Sequence, residues 1–89
     1  MVFYVFIAYS IKNTLCALSV TTDLKRRLKL LKLNQPECTK IVYYEEYDNS
    51  LEATKRETFL KKLPKELIHE LVLDNNPMLT EIELNNLTH

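Results

Sequence analysis

Not one glycine occurs among the 89 residues. At ordinary usage of about 7%, a chain this long carries roughly six. Glycine turns with positive φ at no steric cost and lets backbone approach a ligand closely. The tight turns must therefore fall to other residues, and asparagine is the best substitute in the left-handed region. The phosphate-cradling P-loop and the dinucleotide fingerprint are excluded outright, because each needs several glycines.

Eighty-nine residues suffice for one small core. Residues 1–77 read as a single domain and 78–89 as a C-terminal tail. The net charge is zero but unevenly spread. Residues 21–35 hold Lys25, Arg26, Arg27, Lys29 and Lys32 against Asp23, a local charge of +4. Residues 66–89 hold Glu66, Glu70, Asp74, Glu81 and Glu83 with no lysine or arginine, a local charge of −5. A basic helix and an acidic tail on one small body imply an anionic partner, or shielding of one segment by the other. Met1–Ala8 is apolar but lacks the basic start and the length of a signal peptide, and no stretch approaches a membrane span. Cys16 and Cys38 give neither a zinc spacing nor a disulfide framework. These features predict a reduced, cytoplasmic protein with no membrane partner. Asn86-Leu87-Thr88 matches a glycosylation sequon with nothing else to support secretion.

Val2–Ala8 is β-branched and aromatic without a polar break, which predicts a strand buried on both faces. Lys12-Asn13-Thr14 makes the turn, and Leu15–Val20 returns as an antiparallel strand. Thr21-Thr22-Asp23 offers helix caps, and Leu24, Leu28 and Leu31 recur at helical spacing, so residues 22–33 form an amphipathic helix. Arg27 flanks its apolar stripe, while Lys25, Lys29 and Lys32 face outward. Asn34-Gln35-Pro36 ends it. Lys40–Tyr47 reads as a third strand. Asn49 with Glu52 resembles a capping box for a second helix running to about Leu63, with Glu57 on the flank of its apolar set. Pro64 opens a third helix through about Leu73, and Asp74-Asn75-Asn76-Pro77 stops it.

The order strand, strand, helix, strand, helix, helix defines an α+β class. That order, with Phe3-Tyr4-Val5-Phe6-Ile7, Val20-Thr21-Thr22-Asp23-Leu24-Lys25-Arg26-Arg27-Leu28, Lys40–Tyr47 and Glu52–Leu63, resembles the GIY-YIG nuclease family in its small stand-alone bacterial form. The resemblance spans about residues 2–77. It implies a three-stranded antiparallel sheet flanked by helices, and hydrolysis of a DNA phosphodiester with Mg²⁺ or Mn²⁺. It also implies tyrosines that help activate water, an arginine on the first helix for the phosphate, and a glutamate on the second helix for the metal. The chemistry is general: a carboxylate suits a hard cation, a fixed cation stabilises developing phosphoryl charge, and the metal acts as Lewis acid.

Position by position the resemblance is interrupted. The first motif falls on Tyr4-Val5-Phe6, so Phe6 stands where the family has tyrosine. The second falls on Ala17-Leu18-Ser19, with Ala17 in place of tyrosine and Ser19 in place of glycine. Arg27 matches the helix arginine and Glu57 the metal-binding glutamate. A histidine of small members would fall near Leu31, the basic loop shrinks to Leu33–Thr39, and the Asn-Pro pair persists as Asn76-Pro77. Phenylalanine and alanine neither accept a proton nor position a water. Losing one acid–base group commonly costs about 10²–10⁴-fold in rate.

These departures lead to the expectation of a pseudonuclease, with Arg27 and Glu57 as remnants and the scaffold retained for nucleic-acid or protein binding. Lys25, Arg26, Lys29, Lys32, Lys55 and Arg56 are the candidate nucleic-acid contacts, since phosphates need only lysine and arginine. A first alternative is a residual Mg²⁺- or Mn²⁺-dependent endonuclease using Arg27 and Glu57, with Tyr4 or Tyr9 replacing the lost hydroxyls. A second is a protein-interaction module or homodimer. Arg27 and Glu57 also admit a purely structural reading, as an ion pair at the edge of the core. His69 reads as a surface or half-buried structural histidine, and Cys16 and Cys38 as small hydrophobes near the sheet.

Overall fold

The computed structural model of the chain describes residues 1–84. Its elements run β1 (Phe3–Ser10), β2 (Leu15–Thr21), α1 (Leu24–Asn34), β3 (Cys38–Tyr47), α2 (Ser50–Lys61) and α3 (Lys65–Asn75). The predicted α+β order β-β-α-β-α-α is the one observed. Residues 85–89, which include the sequon and His89, lie outside the described residues.

β1 is the central strand of an antiparallel sheet of order β2-β1-β3. Its position explains its unbroken apolar run, because both faces are covered and Tyr4 through Ser10 are buried. The β1–β2 turn places Asn13 at φ 61°, so asparagine takes the position where glycine would ordinarily serve. Ser10 Oγ accepts the Lys12 and Thr14 backbone N–H groups and stabilises that turn.

Alternation along β1 divides the core. Val5, Ile7 and Tyr9 face α2 and α3, where they meet Leu18, Val42, Ala53, Leu60, Ile68 and Val72. Tyr4, Phe6 and Ala8 face α1, where they meet Leu24, Leu28, Ile41 and Leu84. The side-chain period of two on a strand produces this division. Irregularities between Ile7 and Ala8, and between Ala8 and Tyr9, shift the register to β3 and β2 without exchanging the two faces.

The helices begin where local chemistry allows. The Asp23 carboxylate accepts the Arg26 N–H at 3.1 Å, and the Asn49 side-chain amide oxygen accepts the Glu52 N–H at 2.9 Å. Each satisfies a backbone donor that has no intrahelical partner, worth about 1 kcal/mol. Pro64 lies one position earlier than expected, at the N-cap of α3 with φ −59° and ψ 151°. β3 begins at Cys38, so the link from α1 is shorter than the sequence indicated.

Residues 78–84, assigned to the tail by sequence, pack against the body. Lys40 Nζ donates to the Leu79 carbonyl at 2.7 Å, and the Ile82 N–H donates to the Ile41 carbonyl at 3.0 Å. Leu84 is buried in the α1-side cluster.

Candidate functional site

The signature positions gather on the α1 face. Phe6 pairs with Ser19, and Ala8 with Ala17, so all four share that face. Phe6 is fully buried among Tyr4, Ala8, Leu24, Leu28 and Ile41. Ala17 and Leu31 pack at the margin of the same cluster. The positions where the family resemblance implies a tyrosine and a histidine are thus occupied by apolar groups that help to close the core.

Tyr4 lies on this face, as its two-residue spacing from Phe6 requires. It is buried and meets Tyr44 edge-on at a centroid separation of 5.6 Å. Burial raises the Tyr4 phenol above its ordinary pKa, and the charges of Glu46, Tyr44 and Asp23 add to the effect. A phenol held protonated in this way is a poor base. Tyr9, three residues from Phe6 on the strand, faces the other way. Its hydroxyl lies 2.8 Å from His69 Nδ1, with the rings stacked at 19°. His69 is therefore a half-buried structural partner.

Arg27 is half-buried on α1, beside Thr21, Thr22, Asp23 and Arg26 at the edge of a shallow surface depression. Lys25, Arg26, Lys29 and Lys32 are exposed on the same helix. Glu57 is half-buried on α2, which packs against the opposite face of the sheet. Its carboxylate meets Lys61 Nζ at 3.3 Å. Among the described residues Arg27 and Glu57 form no ion pair, so the structural pair considered from sequence is replaced by Glu57–Lys61 on α2.

A hard divalent cation takes about six oxygen ligands, several of them water in the case of Mg²⁺. Glu57 supplies one carboxylate, which it shares with the mostly exposed Lys61 ammonium. No group of three His, Cys, Asp or Glu side chains able to hold a metal occurs among the described residues. Among the described residues Glu57 is the candidate that would hold Mg²⁺ or Mn²⁺, with water and substrate phosphate completing the shell and the ion supplying Lewis acidity when bound.

The remaining basic candidates divide between the two faces. Lys55 and Arg56 are on α2, away from the α1 lysines. Lys55 lies 3.9 Å from Glu52, with both side chains mostly exposed. Arg56 is held in the structure. Its Nε and Nη2 each donate to Glu45 at 2.9 Å, and its guanidinium lies 5.7 Å from the Phe59 ring centroid. The Tyr47 hydroxyl donates to the same carboxylate at 2.6 Å, and the Tyr43 hydroxyl donates to its other oxygen. Sequence reasoning missed this cluster. Its signal was the alternation Tyr43, Glu45, Tyr47, which puts a carboxylate on the α2 side of an edge strand and calls for a cation opposite.

Burial alone would raise the Glu45 pKa. The hydrogen bonds from Arg56, Tyr43 and Tyr47, with the Arg56 charge, outweigh it and hold the carboxyl below its ordinary range. The same contacts act in reverse on the phenols: burial first, then Glu45, pushes Tyr47 up to about 12 and Tyr43 higher still.

The fold has a counterpart among solved structures. The chain is similar to a UPF0213 protein of Bacillus halodurans solved by NMR in solution, with a TM-score of 0.59 and 22% identity, over 99% of this chain and 100% of that one. The class defined is a small α+β domain with a three-stranded antiparallel sheet and three helices. No family model and no curated relative matches the chain. No helix among the described residues is long and apolar enough to cross a membrane.

Proposed function

We propose that this chain is a GIY-YIG-like domain that has lost phosphodiester hydrolysis and binds nucleic acid through α1. The scaffold reading rests on element order and on the full-length likeness to the UPF0213 fold. The loss of catalysis rests above all on Phe6, whose ring is fully buried where a reactive tyrosine would stand. Ala17, at the margin of the same cluster, brings no hydroxyl, and Glu57 lies on α2, on the other face of the sheet from Phe6. The binding reading rests on the row of exposed cations on α1, which suits phosphates without requiring any catalytic group.

Two assays test this together. A labelled duplex titrated with the protein at low and moderate salt reports binding, which should weaken steeply as salt rises. Plasmid and branched DNA incubated with Mg²⁺ and Mn²⁺ report cleavage. Binding without cleavage supports the proposal. Cleavage abolished by Glu57→Ala favours the residual endonuclease. Negligible binding at all salt concentrations favours a protein partner or homodimer.

A further inference from the structure

The acidic C-terminal segment lies against the basic helix. After α3 the chain turns back at Leu79, with φ 52°, and Asn76 secures the turn. Asn76 Nδ2 donates to the Thr80 carbonyl at 2.8 Å and to the Val42 carbonyl at 2.9 Å. The bonds from Lys40 and from the Ile82 amide then fix the segment along the edge of β3. Ile82 and Leu84 pack into the cluster that contains Leu24 and Leu28 of α1. Alternation leaves Glu81 and Glu83 exposed. Together with Lys25, Lys29 and Lys32 they line one open groove between α1 and this segment.

We infer that residues 78–84 form a built-in electrostatic cover for α1, with Glu81 and Glu83 occupying the space that nucleic-acid phosphates need. The inference rests on the reading of α1 as the nucleic-acid surface and adds its regulation. Three observations carry it. The segment is anchored by apolar side chains and backbone hydrogen bonds, so its carboxylates are positioned rather than merely tethered. Its charge is opposite to that of the helix across the groove. The facing charges are all solvent-exposed, and pairings of exposed charges are individually weak. A polyanion that presents many phosphates can therefore displace the cover, and salt acts on both competitors.

The test is fluorescence anisotropy of a labelled DNA duplex with the full chain at low salt, comparing the parent with a Glu81→Gln/Glu83→Gln variant. A second variant, Glu66→Gln/Glu70→Gln, makes the same change in net charge on α3, which packs on the other face. The groove variant is expected to bind about tenfold more tightly than the parent, in line with removal of two exposed opposing charges, and the α3 variant within about twofold. The advantage should shrink as salt rises. Ile82→Ser, which loosens the anchor without changing charge, should also tighten binding. Equal gains in the two glutamine variants would overturn the cover and leave only a net-charge effect. Binding by the parent with no gain in the groove variant would overturn the cover while α1 binding stands. Absence of binding in parent and variants alike would overturn the α1 reading itself, and the cover with it.

Discussion

Glu45 receives the Arg56 guanidinium through two parallel hydrogen bonds, Nε to Oε1 and Nη2 to Oε2, each at 2.9 Å. The pair ties the end of β3 to α2 across eleven residues of sequence. A bidentate arginine–carboxylate contact constrains geometry as well as charge. Here it also collects two phenols, so the carboxylate leaves little of its accepting capacity unused.

Glu45→Gln removes the charge while keeping the shape. The partly exposed Arg56 then loses its counter-charge, and two phenols lose an anionic acceptor. A destabilisation of about 2–3 kcal/mol is expected at neutral pH, toward the lower end for breaking a buried pair because solvent reaches the guanidinium. Urea unfolding of parent and variant measures it. An unchanged midpoint would show that the cluster contributes nothing net.

The same carboxyl sets an acid limb. Its folded pKa lies below the reference value of 4.5, so the folded state binds its proton less readily than the unfolded chain does. The resulting stability is fully present above the unfolded pKa and is lost as pH falls through the folded one. Unfolding free energy of the parent should therefore drop below about pH 5, and Glu45→Gln should flatten that limb. An equally steep limb in the variant would assign it to other carboxyls.

At the alkaline end the sign reverses. The folded pKa of Tyr47 is raised from 10.0 to about 12, and Tyr4, Tyr9 and Tyr43 are also raised. Their stabilisation is complete below the unfolded value of 10.0 and is lost as pH climbs through the folded values. Phenolate absorbance should rise late and together with loss of ellipticity, rather than as a simple titration near pH 10. Early titration of Tyr4, Tyr9, Tyr43 and Tyr47 in the folded protein would contradict this.

Phe6→Tyr is the restoring substitution that the family resemblance invites. The buried position of Phe6 determines its expected outcome. The new hydroxyl enters an apolar cluster, and an unpaired buried hydroxyl costs about 1–3 kcal/mol. Ala17→Tyr adds a large side chain at the margin of the same cluster, with overpacking costs of about 1–3 kcal/mol. A Phe6→Tyr/Ala17→Tyr/Ser19→Gly variant is expected to fold with reduced stability and to show at most weak, metal-dependent nicking. Family-like activity would show that the apolar filling is incidental.

Sequence revealed what is local. Asn13 in the left-handed region, Asp23 and Asn49 as caps, the two-sided burial of β1 and the element order all follow from propensity, spacing and turn chemistry. Contacts that need tertiary placement were hidden. Glu45 finds Arg56 only after β3 and α2 pack, and Tyr9 meets His69 across sixty residues. Residues 78–84 carried a readable signal, the alternation Glu81, Ile82, Glu83, Leu84, but not the surface it would meet. Arg27 and Glu57 were legible as charged residues on the flanks of the apolar stripes of their helices, and both are half-buried there. The two faces on which their helices pack could not be read from spacing alone.

The most direct measurement is a single reaction containing labelled duplex DNA, Mn²⁺ and the unmodified protein at low salt, read for complex formation and strand scission in the same sample. A shifted, intact duplex is expected, with the shift lost on Lys25→Glu/Lys29→Glu substitution. Scission that requires Glu57, at any rate above a protein-free control, would contradict the loss of catalysis.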